Sequence, residues 1–284
     1  MEFFRLSFFL MLIIIQTDPI HVQIGGTSIR VVSFNIRYDN PQDGQNAWQF
    51  RKNRIAQFIR FQDADICGLQ EALFQQANDL DSLLPEYDWI GVGRDDGSIK
   101  GEFCPIFFRK NRFTVMDHGT FWLSETPSEA GSIGWDAALP RIVTWCLIRD
   151  SVTGNEIRFF NTHFDHVGKS AREMSVRLLI EKAVEYIGLN PLIITGDFNC
   201  TDTSIVYDFL REGGLHDALN ISHEPHYGPN STWNAFTEIE ENQRIDFIFV
   251  NDLISVRKHA ILTDKWDGRF LSDHLPVLAE IVVR

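Results

Sequence analysis

Six apolar runs in this chain begin or end in a residue that could do chemistry. Asn35 closes Val-Val-Ser-Phe, Glu71 follows Ile-Cys-Gly-Leu-Gln, and His163 follows Arg-Phe-Phe-Asn-Thr. Asp197 and Asn199 follow Leu-Ile-Ile-Thr-Gly, Asp246 opens Asp-Phe-Ile-Phe-Val, and Asp273-His274 precede Leu-Pro-Val-Leu. Any one of these has a plain explanation, since Asp and Asn form turns and cap helices. Six on one chain exceed what turn chemistry needs. Glu71, Asp197 and Asp273, with the amides of Asn35 and Asn199, are hard oxygen donors of the kind that hold Mg²⁺, Mn²⁺ or Ca²⁺. Zinc fits less well, because the histidines come without a close His/Cys partner motif and His163-x-x-His166 alone is a weak signal. A histidine beside a carboxylate, plus a cation, makes up the parts of a metal-assisted hydrolase. Phosphoester hydrolysis suits such a set, because its catalysis is mostly positioning and electrostatics.

The surrounding pattern supplies elements to position these groups. Short apolar runs at 29–34, 65–69, 105–108, 113–115, 142–148, 157–161, 192–195, 246–250 and 278–283 read as strands. Helical spacing puts Phe50, Ile55, Phe58 and Ile59 on one face of 49–61, and 74–84 reads as a helix that ends before Pro85. The longest helical stretch is 169–189. Its Val176, Leu179, Ile180, Ala183 and Ile187 share a face, and Gly188 stops it. About ten strands with several helices and no internal repeat fit an α/β sandwich of two packed sheets.

The net charge is 26 − 39 = −13, which excludes a basic nucleic-acid-coating protein. With 44% apolar and 23% charged residues, the chain is neither disordered nor polytopic in a membrane. Seven Trp and 23 Phe call for a large aromatic core. Residues 6–15 form an apolar run broken only by Ser7. It is too short to span a bilayer and fits a signal peptide or hydrophobic leader over residues 1–20. The expectation is an exported protein, tethered to a membrane if the leader stays uncleaved. Cys67, Cys104, Cys146 and Cys200 form no metal-type pair. Asn199, Asn220 and Asn230 head glycosylation triplets.

The ordered set Ser-Phe-Asn35-Ile-Arg, Leu-Gln-Glu71, Asn-Thr-His163-Phe, Gly-Asp197-Phe-Asn199, Arg-Ile-Asp246-Phe and Ser-Asp273-His274-Leu-Pro-Val resembles the endonuclease/exonuclease/phosphatase superfamily. The resemblance covers residues 29–284 and implies a single domain over 25–284. It implies a four-layer α/β/β/α sandwich, like deoxyribonuclease I, and a Mg²⁺-dependent (or Mn²⁺-dependent) phosphoester hydrolase.

Roles follow from the resemblance position by position. Glu71 resembles the principal metal ligand, assisted by Asn35 and Asp273. His274 resembles the histidine that activates water or stabilises the phosphate, with Asp246 as its carboxylate partner. Asp197 and Asn199 resemble the pair that orients the nucleophile and binds the scissile phosphate, and His163 a second phosphate contact. Glu102 is the candidate acidic partner of His163. Arg141 and Arg37 match phosphate-binding arginines of the deoxyribonuclease I branch. Glu71 lacks the nearby basic residue that helps that branch grip DNA. Segments 119–127, 134–141 and 162–168 resemble a bacterial-type branch, and Trp135, Asp136, Asp165 and His166 are candidates for its specificity wall. The expected substrate is a small phosphoester, with nucleic acid as the alternative, and a non-catalytic phosphate-binding protein of the same fold is a second alternative. A monomer is expected.

Overall fold

The structure is a computed structural model that describes residues 27–184 and 190–284. The leader expected over residues 1–20 and residues 185–189 of the helix expected over 169–189 lie outside the described residues. Strand β1 (Ile29–Asn35) leads through a helical turn at Pro41–Asn46 into α1 (Trp48–Phe61). Then come β2 (Ile66–Gln70), α2 (Phe74–Leu83), β3 (Tyr87–Ile90) and β4 (Ile106–Arg109). Next are β5 (Phe113–Trp122), β6 (Ile142–Asp150), β7 (Glu156–His163), α3 (Lys169–Val184), β8 (Leu192–Asp197) and α4 (Ile205–Glu212). The chain ends with β9 (His216–Asp217), β10 (Asp246–Val250), β11 (Ile254–Ile261), the hairpin β12 (Lys265–Trp266) and β13 (Arg269–Phe270), and β14 (Val277–Val283).

Two six-stranded mixed sheets, ordered β11-β14-β1-β2-β4-β3 and β5-β6-β7-β8-β10-β9, pack face to face. Their inner faces share one apolar core that includes Val31, Ile66, Phe108, Phe159, Ile193 and Ile281. Helices α1 and α2 cover the outer face of the first sheet through Ile55, Phe58, Ile59 and Leu80. Helices α3 and α4 cover the second through Val176, Leu179, Val206 and Leu210. This is the four-layer α/β/β/α sandwich. No helix among the described residues is long and apolar enough to cross a membrane. All four cysteines are free.

Three local differences from the pattern have physical causes. Phe50 is 49% exposed, because five residues along a helix place it about 140° round from Ile55. The strand expected at 113–115 runs on to Trp122 as a sheet edge. A bulge between Val115 and Asp117 shifts its alternation there, so the apolar run looks shorter than the strand. The strand β11 carries Arg257, Lys258 and His259 among its apolar residues, which hides it from a search for apolar runs.

A polar seam joins the two sheets just below the strand ends. The Asn161 amide donates to Leu69 O (2.6 Å) and Pro105 O (3.0 Å). Its Oδ1 accepts from Gln70 Nε2 (2.7 Å) and Thr195 Oγ1 (3.0 Å). A Cβ at Gly68 would collide with Thr195 and Asn161, so only glycine lets the sheets approach this closely. These bonds fix Asn161 in place, while Gln70 Oε1 beside it is buried without a partner.

Candidate active site

Strand register brings the reactive groups to one end of the sandwich. Asp246 on β10 pairs opposite Asp197 on β8, and His163 on β7 lies beside Asp197 on the other flank. In the facing sheet, Asn35 on β1 lies beside Gln70 on β2, so Glu71 comes next. The Asn35 amide crosses between sheets and donates to Glu71 Oε1 and Asp197 Oδ2, both at 3.0 Å. Its Oδ1 accepts from Arg37 N at 3.0 Å, which fixes the orientation of the amide. In this arrangement the Asn35 amide nitrogen faces Glu71 and Asp197, and its oxygen accepts from Arg37 N.

A cleft of about 390 Å³ opens over these groups. Arg37, Glu71, Glu102, Arg141, His163, His166, Asp197, Asn199, Asp273 and His274 line it, together with Tyr38, Leu139 and Trp233. His274 is 3% exposed, and its Nδ1 lies 2.8 Å from Asp246 Oδ2, while its Nε2 lies 3.6 Å from Asp197 Oδ2. Burial works against an imidazolium, but Asp246, Asp197 and Asp273 outweigh it and push His274 up to about 10. Burial, then Asp246, pushes the Asp197 carboxyl up to about 7. Thr232 Oγ1 accepts from Asp246 N, and the Trp233 ring meets His274 edge-on at 4.7 Å.

His163 sits on the other side of Asp197, with its Nε2 at 3.5 Å from Asp197 Oδ2. The Asn199 amide donates to His163 Nε2 (3.0 Å) and to Phe164 O (2.9 Å). A ring nitrogen that accepts leaves His163 neutral, and burial with Arg141 and Arg94 nearby keeps it so by lowering its pKa. Both amide hydrogens of Asn199 are thus engaged, one by His163 and one by the Phe164 carbonyl. Glu102 lies 3.9 Å from His163 Nδ1, beyond hydrogen-bond reach, and instead accepts from Arg94 Nη1 at 2.7 Å. The acidic partner expected for His163 is therefore close but bound mainly to an arginine.

Three site residues hold left-handed backbone: Arg37 (φ 57°), Glu71 (φ 61°) and Asn199 (φ 47°). Such strain persists only where surrounding structure over-determines it. Around Arg37 this is plain. Gln76 Nε2 donates to Arg37 O (2.9 Å), and Arg51 Nη2 reaches the same carbonyl (3.3 Å). Arg51 is buried in α1, and its Nη1 also donates to Ile36 O (2.7 Å) and Leu271 O (3.0 Å). It ties the segment after Asn35 to the segment before Asp273. The Arg37 side chain lies 3.2 Å from Asp43, 3.8 Å from Asp273 and 4.0 Å from Glu71.

The remaining candidates divide. His166 lines the cleft, and Asp165 lies behind it, accepting from Val167 N and Gly168 N. Trp135 and Asp136 do not line the cleft. Asp136 accepts from Ser170 N and Ala171 N and so caps α3, while Trp135 N donates to Glu125. Tyr38, Leu139, Trp233 and Arg51 were missed by sequence reasoning. Arg51 had a readable signal, since it shares the helical stripe of Ile55, Phe58 and Ile59.

The donor chemistry fits a hard cation. Glu71, His163 and Asp197 each offer a ligand atom within 4.8 Å of the others, and so do Asp197, Asp246 and His274. Asp273 stands apart from both groups, paired with Arg37 and Ser272.

A family model described as the Endonuclease/Exonuclease/phosphatase family matches residues 32–274. The chain is 44% identical to an endonuclease/exonuclease/phosphatase of known structure from Bacteroides vulgatus, with a TM-score of 0.87 over 91% of this chain and 100% of that one. It is 41% identical to the mannosyl-6-phosphatase of Bacteroides thetaiotaomicron VPI-5482, with a TM-score of 0.86 over 89% of this chain and 99% of that one. The CCR4-Not complex 3′-5′-exoribonuclease subunit Ccr4 of Mycosarcoma maydis is 26% identical over 66% of this chain. The chain spans 36% of that relative's length.

Proposed function

Because the chain belongs to the endonuclease/exonuclease/phosphatase family, we propose that it is a divalent-metal-dependent phosphomonoesterase acting on a phosphorylated sugar. One arrangement carries the reading. The Asp246–His274 pair faces Asp197 from one side, Asn35 and Glu71 face it from the other, and Arg37 and Arg141 line the same cleft. The similarity to a mannosyl-6-phosphatase supports the sugar phosphate as substrate class. The net charge of −13 supports a small substrate over a long polyanion.

Glu71 and Asp197 would hold Mg²⁺ or Mn²⁺, with Asp273 nearby. Such an ion neutralises charge that develops on phosphoryl oxygens. The residues of the chain do the rest. Asp246 holds the His274 ring through Nδ1, so Nε2–H points toward Asp197 and the cleft. There it donates to a phosphoryl oxygen. Asp197 is the acceptor for the proton of the attacking water, and Asn35 keeps its carboxylate aimed. Asn199 holds His163 neutral, which leaves Nδ1–H as its donor. Arg141 and Arg37 supply the positive field a dianionic phosphate needs.

The test is a panel of mannose 6-phosphate, p-nitrophenyl phosphate, bis(p-nitrophenyl) phosphate, plasmid DNA and RNA with Mg²⁺ or Mn²⁺. The monoesters are expected to turn over, and EDTA or His274→Ala to lower the rate at least ~10²-fold. Activity that survives both changes overturns the assignment. Faster cleavage of RNA or DNA than of monoesters supports the nuclease reading, which the likeness to Ccr4 favours. We also propose export, on the apolar run at residues 6–15. N-terminal sequencing of mature protein tests it.

A further inference from the structure

The loop that carries His166 is held rigid. Asp165 Oδ1 accepts from Val167 N (3.0 Å) and Gly168 N (2.7 Å), and Arg172 Nη1 donates to Asp165 O (2.8 Å). Asp165 Oδ2 lies 3.4 Å from Arg141 Nε. Arg141 Nη2 lies 2.9 Å from His166 Nδ1. A guanidinium can only donate, so His166 Nδ1 accepts and the ring proton sits on Nε2. His166 Nε2 makes no hydrogen bond to the described residues, and Arg141 Nη1 is buried without a partner. Arg141 and the exposed His166 thus form one hydrogen-bonded pair, and both residues line the same cleft.

The two donors differ in character. Arg141 is cationic and suits an anionic phosphate oxygen. His166, while it accepts from Arg141, is uncharged and suits a neutral oxygen. Of the aromatic rings that line the cleft, Tyr38 has one face under the Arg37 guanidinium at 4.4 Å, and Trp233 meets His274 edge-on.

We propose that His166 is a specificity-determining residue whose Nε2–H donates to a hydroxyl of the alcohol portion of the substrate, while Arg141 Nη1 takes a phosphate oxygen. The inference rests on the sugar-phosphate reading above and names the residue that tells a sugar phosphate from bare phosphate. Asp165 is a positioning residue for this pair.

The readout is an affinity ratio, mannose 6-phosphate against inorganic phosphate, measured by calorimetry in Ca²⁺ on the full-length protein. The wild-type protein should favour mannose 6-phosphate. His166→Ala should lower the ratio about three- to tenfold, the range for loss of one neutral hydrogen bond. His166→Gln, whose amide can place a donor near the Nε2 position, should restore much of it. A ratio unchanged in His166→Ala, a wild-type ratio near one, or an equal loss of both affinities overturns the proposal. Turnover is scored separately. Preferential binding without hydrolysis would sink the phosphatase reading and leave the role of His166 standing.

Discussion

His274 Nδ1 lies 2.8 Å from Asp246 Oδ2, and Asp246 opens a strand that begins directly opposite Asp197. The pairing is a product of sheet register, since one residue of slip would turn Asp246 to the other face. Asp246 is buried and its Oδ1 has no partner, so its charge is directed at the imidazole.

Asp246→Asn keeps the shape of this contact and removes its charge. The rate should fall by about 10² in kcat, the usual scale for a positioned acid/base group. An NMR titration should show His274 moving down from about 10 toward its ordinary 6.5, because the largest favourable charge is gone. A kcat within threefold of wild type would contradict the role assigned to the pair.

Arg51 has no carboxylate within salt-bridge distance among the described residues, and its guanidinium serves backbone carbonyls. Arg51→Ala takes this donor from the Ile36 and Leu271 carbonyls, at a cost of about 3 kcal/mol, while Arg37 O keeps Gln76 Nε2. The Tm should drop roughly 10 °C. Arg51→Lys should recover part of the loss. Circular dichroism melts of the three proteins measure it, and equal melting of Arg51→Ala and wild type would refute the clamp.

Asp136 accepts from two amides at the start of α3. Asp136→Ala should destabilise the fold by about 1 kcal/mol, and Asp136→Asn by only a few tenths, since Asn also caps well. Urea titrations that rank the two variants the other way would show that the cap is not what Asp136 contributes.

Stability should also fall in acid through His259. Burial, then the charges of His226 and Arg244, lower it from 6.5 to about 3. The unfolded chain therefore binds the extra proton between these values, and the stability present above pH 6.5 is lost as pH falls through that window. The slope reaches about 1.4 kcal/mol per pH unit. His226 Nδ1 lies 3.0 Å from His259 Nδ1, so a proton added to His259 at that nitrogen would face the neighbouring ring. His259→Gln should flatten the pH dependence of the urea midpoint between pH 6 and 4. A slope equal to wild type would show that other groups carry it.

The sequence by itself determined the class of fold and marked a set of candidate residues. Strands with two buried faces read as apolar runs, and the groups that follow them stand where the runs stop. That is why Asn35, Glu71, His163, Asp197, Asp246 and His274 could be picked out one by one. Arg51, Tyr38, Leu139 and Trp233 could not, apart from the helical stripe that holds Arg51, because nothing local marks a side chain that acts on a distant segment. The tertiary structure alone decided which group faces which. Asn35 turned out to present its amide nitrogen because Arg37 N occupies its oxygen. Glu102 went to Arg94, and Asp136 went to a helix end. Each choice is a contest between partners far apart in sequence. Only packing two sheets around Gly68 and the Asn161 seam brings those partners within reach.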